Sequence, residues 1–191
     1  APLGDYRLSI SQSTVYVEPQ GDAPVGEALE VCRRVFGIVS LCCAAVCPKD
    51  MAAICDTAAR YLNDELEHTR TFKVEARRAD KRFPLTSPQI GAEVGARLLE
   101  EHPHLRVRME GAERIVKVEI REQYAYVSGE RLPGAGGMPT GANGRAMLLL
   151  SGGIDSPVAG HMMARRGLEL GAVHFYSYPY TSEEARDKVI E

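Results

Sequence analysis

Residues 151–157, with the sequence Ser-Gly-Gly-Ile-Asp-Ser-Pro, have the residue types and spacing of a loop that binds a phosphate group. Gly152 and Gly153 permit a tight turn whose backbone N–H groups can face an anion. The hydroxyl groups of Ser151 and Ser156 can donate further hydrogen bonds to phosphate oxygens, and the N-terminus of a following helix carries a partial positive charge. The sequence therefore predicts a phosphate-binding loop between a strand and a helix.

Asp155 places a carboxylate inside this predicted anion site. Beside a polyphosphate, a carboxylate is best explained as a ligand of Mg²⁺ that bridges the phosphates, so we expect Asp155 to be both the catalytic residue and the metal ligand. The alternative is that Asp155 is a helix N-cap. No lysine follows the glycines, which excludes a Walker-type loop for transfer of the γ-phosphoryl group. We therefore expect ATP and Mg²⁺ as cofactors in a different reaction.

The elements on either side of the loop must position it. Residues 146–150 form an apolar run typical of a buried parallel strand, residues 157–166 have the pattern of a helix, and residues 172–176 that of the next strand. This order predicts the first crossover of a doubly wound α/β sheet, in which nucleotides bind at the carboxyl ends of the strands. The nucleoside is thus expected to border four residues: Leu149, Leu150, His174 and Phe175. For His174, packing at a strand end is the alternative.

The first third of the chain predicts strands around one helix. Apolar residues alternate with polar ones over residues 6–17, recur at helical spacing over residues 25–36, and predict a strand over residues 38–46. We interpret residues 1–48 as a ferredoxin-like unit that lacks its first strand and helix. An odd number of cysteines without paired CxxC spacing favours reduced thiols packed in the core over disulfides or a metal site: Cys32, Cys42, Cys43, Cys47 and Cys55.

A second, mixed α+β unit is predicted over residues 49–133. Within it, residues 70–82 hold six basic side chains against two acidic ones, and this local excess predicts a track for RNA phosphates: Arg70, Lys73, Arg77, Arg78, Lys81 and Arg82. A merely solvated charged face is the alternative. Residues 134–144 are rich in glycine and predict a linker, and residues 145–191 begin the α/β domain that carries the loop.

Composition narrows the classes of function. The net charge of −3 excludes binding of nucleic acid through the bulk charge of the chain, so any RNA contact must be local. The sequence has no apolar run long enough to span a membrane and no secretory signal pattern. A cytoplasmic location is therefore expected.

Several of these segments together resemble the 4-thiouridine synthetase family of tRNA sulfurtransferases. Residues 72–84 and 93–98 resemble its THUMP domain, residues 133–137 its linker, and residues 149–156, Leu-Leu-Ser-Gly-Gly-Ile-Asp-Ser, the loop of the ATP-pyrophosphatase (PP-loop) enzymes. The resemblance implies a ferredoxin-like domain, a THUMP domain and the start of a PP-loop domain. It also implies an enzyme that adenylates O4 of uridine 8 in tRNA, releases pyrophosphate and transfers persulfide sulfur to give 4-thiouridine.

The same resemblance implies the partners of the protein. These are tRNA, a cysteine desulfurase as sulfur donor and, for a second role in thiamine (thiazole) biosynthesis, a sulfur-carrier protein; a homodimer is left open. The family's catalytic cysteine lies beyond residue 191, so we expect residues 1–191 alone to be inactive. Two alternatives remain: a tRNA-binding module with an idle loop, which ATP binding would exclude, and another PP-loop ligase such as an amidotransferase or tRNA lysidine enzyme, which tRNA affinity would disfavour.

Overall fold

The computed structural model describes residues 4–11, 14–177, 179–180 and 182–190. The chain forms two compact units, a split unit of Ala1–Leu41 with Pro133–Glu191 and a central unit of Cys42–Leu132. In the described residues, no helix is long and apolar enough to cross a membrane.

The N-terminal part of the split unit contains four short elements: β1 (Tyr6–Ser11), β2 (Thr14–Pro19), α1 (Val25–Arg33) and β3 (Ser40–Leu41). β1 and β2 pair antiparallel, with Leu8 opposite Val17, as the alternating pattern predicts. The Tyr6 hydroxyl donates a hydrogen bond of 2.8 Å to the Pro24 carbonyl, just before α1. This bond ties the hairpin to the start of the helix.

The central unit contains a five-stranded sheet with helices on one face. Its elements are β4 (Ala44–Cys47), α2 (Met51–Tyr61), α3 (Asn63–Glu67), β5 (Thr71–Arg78), α4 (Ser87–Glu101), β6 (Arg106–Val107), β7 (Arg114–Ile120) and β8 (Ala125–Ser128). The strand order is β4-β8-β7-β5-β6, and β9 (Leu132–Pro133) follows in the chain. Ile90, Val94 and Leu98 recur every four residues along α4, so one helix face is fully buried.

The same core explains the alternation within the strands. Phe72 of β5 and Val116, Val118 and Ile120 of β7 are fully buried under the helices, whereas the intervening residues are not. Burial of each large apolar side chain contributes about 1.5 to 3 kcal/mol. β5 is thereby held in a fixed rotation, and its odd-numbered residues face away from the core.

The prediction of a single strand over residues 38–46 is wrong. The chain forms two strands there, and β4 pairs antiparallel with β8, with Ala45 opposite Val127 and Cys47 opposite Ala125. Cys47 is only 5% exposed because it packs in the core of the central unit. Residues 44–47 therefore lie in the sheet of the central unit and not with the N-terminal hairpin.

The cysteines only partly follow the predicted core packing. Cys47 is buried, Cys42 is exposed and the other three are half-buried, so the prediction is wrong for Cys42. Burial raises the pKa of the Cys43, Cys47 and Cys55 thiols, which keeps them protonated near neutral pH. All five are free thiols, and no cluster of three metal-ligating side chains occurs among the described residues.

The C-terminal part of the split unit is a strand–helix–strand crossover, as predicted. Its elements are β10 (Arg145–Leu149), α5 (Asp155–Arg165), β11 (Glu169–Val173) and α6 (Glu183–Ile190). β10 and β11 are parallel, with Leu149 opposite Val173, and this register places β11 three residues earlier than the predicted 172–176. Gly160 lets α5 approach β10 closely, since a Cβ atom there would lie 2.7 Å from a methyl carbon of Leu148.

β10 is less buried than the apolar run predicts. Ala146 and Leu148 are half-buried on the α5 side, but Met147 and Leu149 are 69% and 64% exposed on the other face. Within the described residues only one face of this two-stranded sheet is covered, so the prediction of a buried strand is wrong for Met147 and Leu149.

Residues 134–144, the predicted linker, are held by hydrogen bonds within the split unit. The Gly136 N–H donates to the Ile38 carbonyl at 2.8 Å, and the Met138 N–H donates to the Arg165 carbonyl at the end of α5 at 2.9 Å. Gly137 has a φ of +75°, and a Cβ atom there would collide with the Arg165 carbonyl. The glycines therefore allow close backbone contacts and not only flexibility.

Candidate nucleotide loop and RNA-binding surface

The predicted phosphate-binding loop connects the carboxyl end of β10 to the N-terminus of α5. Ile154 occupies the N-cap position and Asp155 begins the helix, so the alternative of Asp155 as the N-cap is wrong. The first helical N–H groups have no carbonyl partner inside the helix, and they give this end a partial positive charge. Asp155 is exposed there and forms no ion pair with any described residue.

Two hydroxyl groups hold the loop in its conformation. The Ser156 hydroxyl oxygen accepts a hydrogen bond from the Ser151 N–H at 3.0 Å and lies 3.1 Å from the Ser151 hydroxyl. The Ser151 hydroxyl oxygen in turn accepts from the Gly153 N–H at 3.4 Å. Ser151, Gly153 and Ser156 are thus brought together as predicted, but these bonds use some of the donors that were expected to face an anion.

The strand ends beside the loop are tied to each other. The Leu150 N–H donates to the Val173 carbonyl at 2.9 Å, and Nδ1 of His174 lies 2.8 Å from the Leu150 carbonyl oxygen. A carbonyl oxygen can only accept, so Nδ1 carries the proton. Leu149 and Phe175 are exposed at this edge, at 64% and 77%, and His174 is half-buried. Because β11 ends at Val173, His174 and Phe175 follow the strand instead of ending it.

The residues of this edge fit Mg-ATP. Magnesium is usually bound by one or two carboxylates together with substrate phosphates, and Asp155 supplies one exposed carboxylate that forms no ion pair within the part of the chain that the structure describes. The unpaired N–H groups at the start of α5 can receive phosphate oxygens, as helix N-termini commonly do. Leu149 and Phe175 offer apolar surface for a base.

The six predicted RNA-binding residues lie just before β5, along it and in the loop that follows it. Lys73 and Arg77 are on the sheet face that points away from the core, with Glu75 between them. Lys73 forms an ion pair of 2.6 Å with Glu75, and this hydrogen bond lowers the pKa of the Glu75 carboxyl. Arg77 is exposed and forms no ion pair in the described part of the chain. Lys117 of β7 pairs with Glu75 on this face. Lys117 is not among the predicted residues, although the two-residue alternation of β7 would have placed it on the face away from the core.

Arg78 forms hydrogen bonds that stabilise the fold. Its Nη1 atom donates hydrogen bonds to the carbonyl oxygens of Phe83 and Leu85, at 3.0 and 3.2 Å, while its backbone N–H donates to the Ser87 hydroxyl. These bonds connect the end of β5 to the start of α4. The charge of Arg78 is therefore committed to the loop, unlike that of Arg77.

In the loop after β5, the carboxylate of Asp80 binds two cationic side chains. Its carboxylate accepts hydrogen bonds from the Arg82 side chain at 3.0 Å and from Nζ of Lys49 at 2.7 Å. These bonds, that of Arg82 first, hold the pKa of the Asp80 carboxyl far below its usual range. Arg82 remains 75% exposed beyond this pair, and Lys81 is exposed without an ion pair among the described residues.

The basic residues form a line and not a compact patch. Arg70 precedes β5 and Lys81 follows it, and the eight residues of β5 extend over roughly 23 Å. Arg106 and Arg108 lie at the Arg70 end, since Arg106 pairs with Thr71 across the parallel β5–β6 ladder. Exposed cations therefore occur at both ends of β5 and along one face of it.

Comparison with known proteins assigns both regions to described families. Residues 141–191 match the family "Thiamine biosynthesis protein (ThiI)", and residues 48–130 match the THUMP domain. A "probable tRNA sulfurtransferase" of Acetivibrio thermocellus is 46% identical over 192 residues, which cover 99% of this chain and 49% of that protein. The protein of the same description from Moorella thermoacetica is 50% identical over 192 residues, covering 100% and 48%.

A solved structure shows the same similarity. The crystal structure of a 4-thiouridine synthetase in complex with RNA and bound ATP superposes with a TM-score of 0.88 at 30% identity, covering 97% of this chain and 48% of that one. The chain spans about half the length of the curated relatives it matches. Over that half, the chain is similar in sequence to proteins described as tRNA sulfurtransferases and in fold to a 4-thiouridine synthetase.

Proposed function

We propose that the protein containing this chain is an ATP-dependent tRNA sulfurtransferase that converts uridine 8 of tRNA to 4-thiouridine. The observation that carries the proposal is the loop of residues 151–156, which lies at the carboxyl end of β10 and leads into the N-terminus of α5. The tRNA sulfurtransferase descriptions of the relatives support the same activity. In this proposal residues 49–133 are the RNA-binding THUMP domain and residues 145–191 begin the PP-loop domain.

The chemistry of the loop favours adenylation over transfer of the γ-phosphoryl group. The loop has no lysine to hold the β and γ phosphates, and its donors lie at one helix end beside the exposed carboxylate of Asp155. Asp155 would hold Mg²⁺, which when bound offsets phosphate charge. The N–H groups at the start of α5 would bind and orient the phosphates. Attack of uracil O4 on the α-phosphorus then releases pyrophosphate and leaves an adenylated uracil.

The RNA-binding role rests on the central unit. Arg77 and Lys81 are exposed cations without ion pairs in the described residues, and Arg82 is mostly exposed beyond its bond to Asp80. Such side chains can bind backbone phosphates without reading sequence. The bound RNA of the similar 4-thiouridine synthetase supports this assignment.

Sulfur delivery needs a cysteine, and residues 145–191, which carry the loop, contain none. No cysteine follows Cys55, and the five cysteines lie within residues 32–55. We therefore propose that the persulfide cysteine lies outside residues 1–191 and is loaded by a cysteine desulfurase. A cytoplasmic location, a homodimer and a second role in sulfur transfer to a thiamine-pathway carrier protein belong to the same proposal.

Asp155→Asn in the full-length protein tests the activity. We expect at least a hundredfold loss of AMP formation and of 4-thiouridine in the presence of tRNA and Mg-ATP, because the neutral amide is a poor Mg²⁺ ligand. The Kd for tRNA should stay within about twofold. Glu27→Gln is the matched control, since Glu27 is an exposed acid in the first turn of α1. Normal 4-thiouridine formation by the Asn variant would remove Asp155 from the site.

A further inference from the structure

Both backbone groups of Leu150 are engaged at the point where the chain enters the loop. The N–H group donates to the Val173 carbonyl at 2.9 Å, and this bond continues the β10–β11 pairing one residue past the strand. The carbonyl oxygen accepts from Nδ1 of His174 at 2.8 Å. Leu150 is followed directly by Ser151, so these two bonds set the direction in which the loop leaves the sheet.

We propose that His174 is a positioning residue, which fixes the entrance of the nucleotide loop by donating its Nδ1–H to the Leu150 carbonyl. The inference deepens the proposed function and rests on it, because the loop is there the ATP site. The imidazole ring of His174 acts through the Leu150 backbone and needs no contact of its own with the nucleotide.

The two ring nitrogens argue against a direct contact between His174 and a ligand. Nδ1 is occupied by the Leu150 carbonyl. Nε2 is buried and has no hydrogen-bond partner in the described part of the chain, so a ligand cannot reach it without moving the ring. In the neutral ring the Nδ1–H tautomer makes Nε2 an acceptor. The geometry thus requires a defined tautomer, and this tautomer can be measured.

The loop is then anchored at both ends. His174 holds the residue before Ser151, and the Ser156 hydroxyl holds Ser151 itself through its N–H at 3.0 Å. Between these anchors the N–H groups keep a fixed direction, and preorganised donors bind charge without the cost of reordering. Release of the Leu150 carbonyl would leave the loop held by the Leu150 N–H bond to Val173 and by the Ser156 hydroxyl.

Three substitutions of His174 in the full-length protein separate the hydrogen bond from the volume of the ring. The amide nitrogen of His174→Asn lies near the position of Nδ1, that of His174→Gln near Nε2, and His174→Leu has no donor. We expect the Kd for Mg-ATP to rise about tenfold in the Gln and Leu variants, the effect of one hydrogen bond, and to stay within about threefold in the Asn variant. His68→Leu, at an exposed histidine after α3, is the control.

The tautomer gives a readout that a purely structural role would not produce. Long-range ¹H–¹⁵N spectra of protein labelled at histidine, with His174 assigned by the Asn variant, should show the proton on Nδ1. A proton on Nε2 in place of Nδ1 would overturn the inference, and so would failure of the Asn variant to retain Mg-ATP affinity. In either case, binding of Mg-ATP by the wild type would still support the proposed function. Absence of Mg-ATP binding by the wild type would instead refute the proposed function, and the positioning role with it.

Discussion

Arg77 and Lys81 make the clearest quantitative prediction about RNA binding. Sequence alone counts six basic residues in the track, but Arg78 is committed to loop carbonyls and Lys73 and Arg82 have acidic partners. Arg77 and Lys81 are exposed and form no ion pair among the described residues. We therefore expect the double variant Arg77→Ala with Lys81→Ala to remove two phosphate contacts.

The magnitude follows from counterion release. Each lost contact reduces the slope of log K against log salt concentration by roughly 0.7 to 0.9, so the double variant should lose roughly 1.4 to 1.8. Between 50 and 200 mM salt, the ratio of wild-type to variant affinity should then fall roughly tenfold. At high salt the two proteins should bind tRNA with similar affinity, because the contribution of the two cations has been screened.

The assay is fluorescence anisotropy with labelled tRNA at four or more salt concentrations, with full-length protein. Arg78→Ala is the matched control, because it removes the same charge from the neighbouring residue. Its two hydrogen bonds to carbonyl oxygens predict a fall of about 1 to 3 kcal/mol in the free energy of unfolding and an unchanged slope. Equal slopes for the double variant and the wild type would refute the assignment of Arg77 and Lys81 to the track.

Two further predictions concern stability. Gly137→Ala should lower the melting temperature and the affinity for Mg-ATP more than Gly141→Ala does. Both glycines have positive φ, but only a Cβ atom at residue 137 would collide with the Arg165 carbonyl. Equal shifts of the melting temperature in calorimetry would contradict this collision. The Asp80 carboxyl, whose folded-state pKa is depressed chiefly by Arg82, stabilises the fold above its unfolded pKa of about 4 and loses this contribution as the pH falls towards the folded value. Urea unfolding of Asp80→Asn and the wild type should therefore differ at pH 6 and converge in acid, and a constant difference at every pH would argue against the ion pair.

The sequence predicts the loop region well because its signals are local. The apolar run of β10, the glycines of the loop and the helical pattern of α5 are contiguous, and each can be recognised within a few residues. The predicted second strand lies three residues too late because the pattern of residues 172–176 extends past the paired segment. The pairing with β10 ends at Val173. Strand limits depend on the partner strand, and a single segment does not contain that information.

Nonlocal pairing explains what the sequence could not predict. β4 joins β8 across about eighty residues, so nothing near Cys47 indicates to which sheet it belongs. Lys49 reaches Asp80 across 31 residues for the same reason. The different roles of Arg77 and Arg78, by contrast, follow from the two-residue period of β5 once Phe72 is placed in the core. The periodicity of β5 is therefore sufficient to separate these two arginines.

The two units use their polar groups in opposite ways. In the central unit, internal partners occupy Arg78, Arg82 and Lys49, so fewer cations remain for RNA than the composition of residues 70–82 indicates. In the split unit, the internal bonds of Ser156 and His174 leave the first N–H groups of α5 open and hold them in place. Because these bonds come from side chains of the protein itself, they hold the loop in one arrangement, and a preorganised site leaves more of the interaction energy available for affinity. Internal hydrogen bonds thus reduce the available charge on the proposed RNA-binding surface, whereas at the loop they hold the proposed site in place.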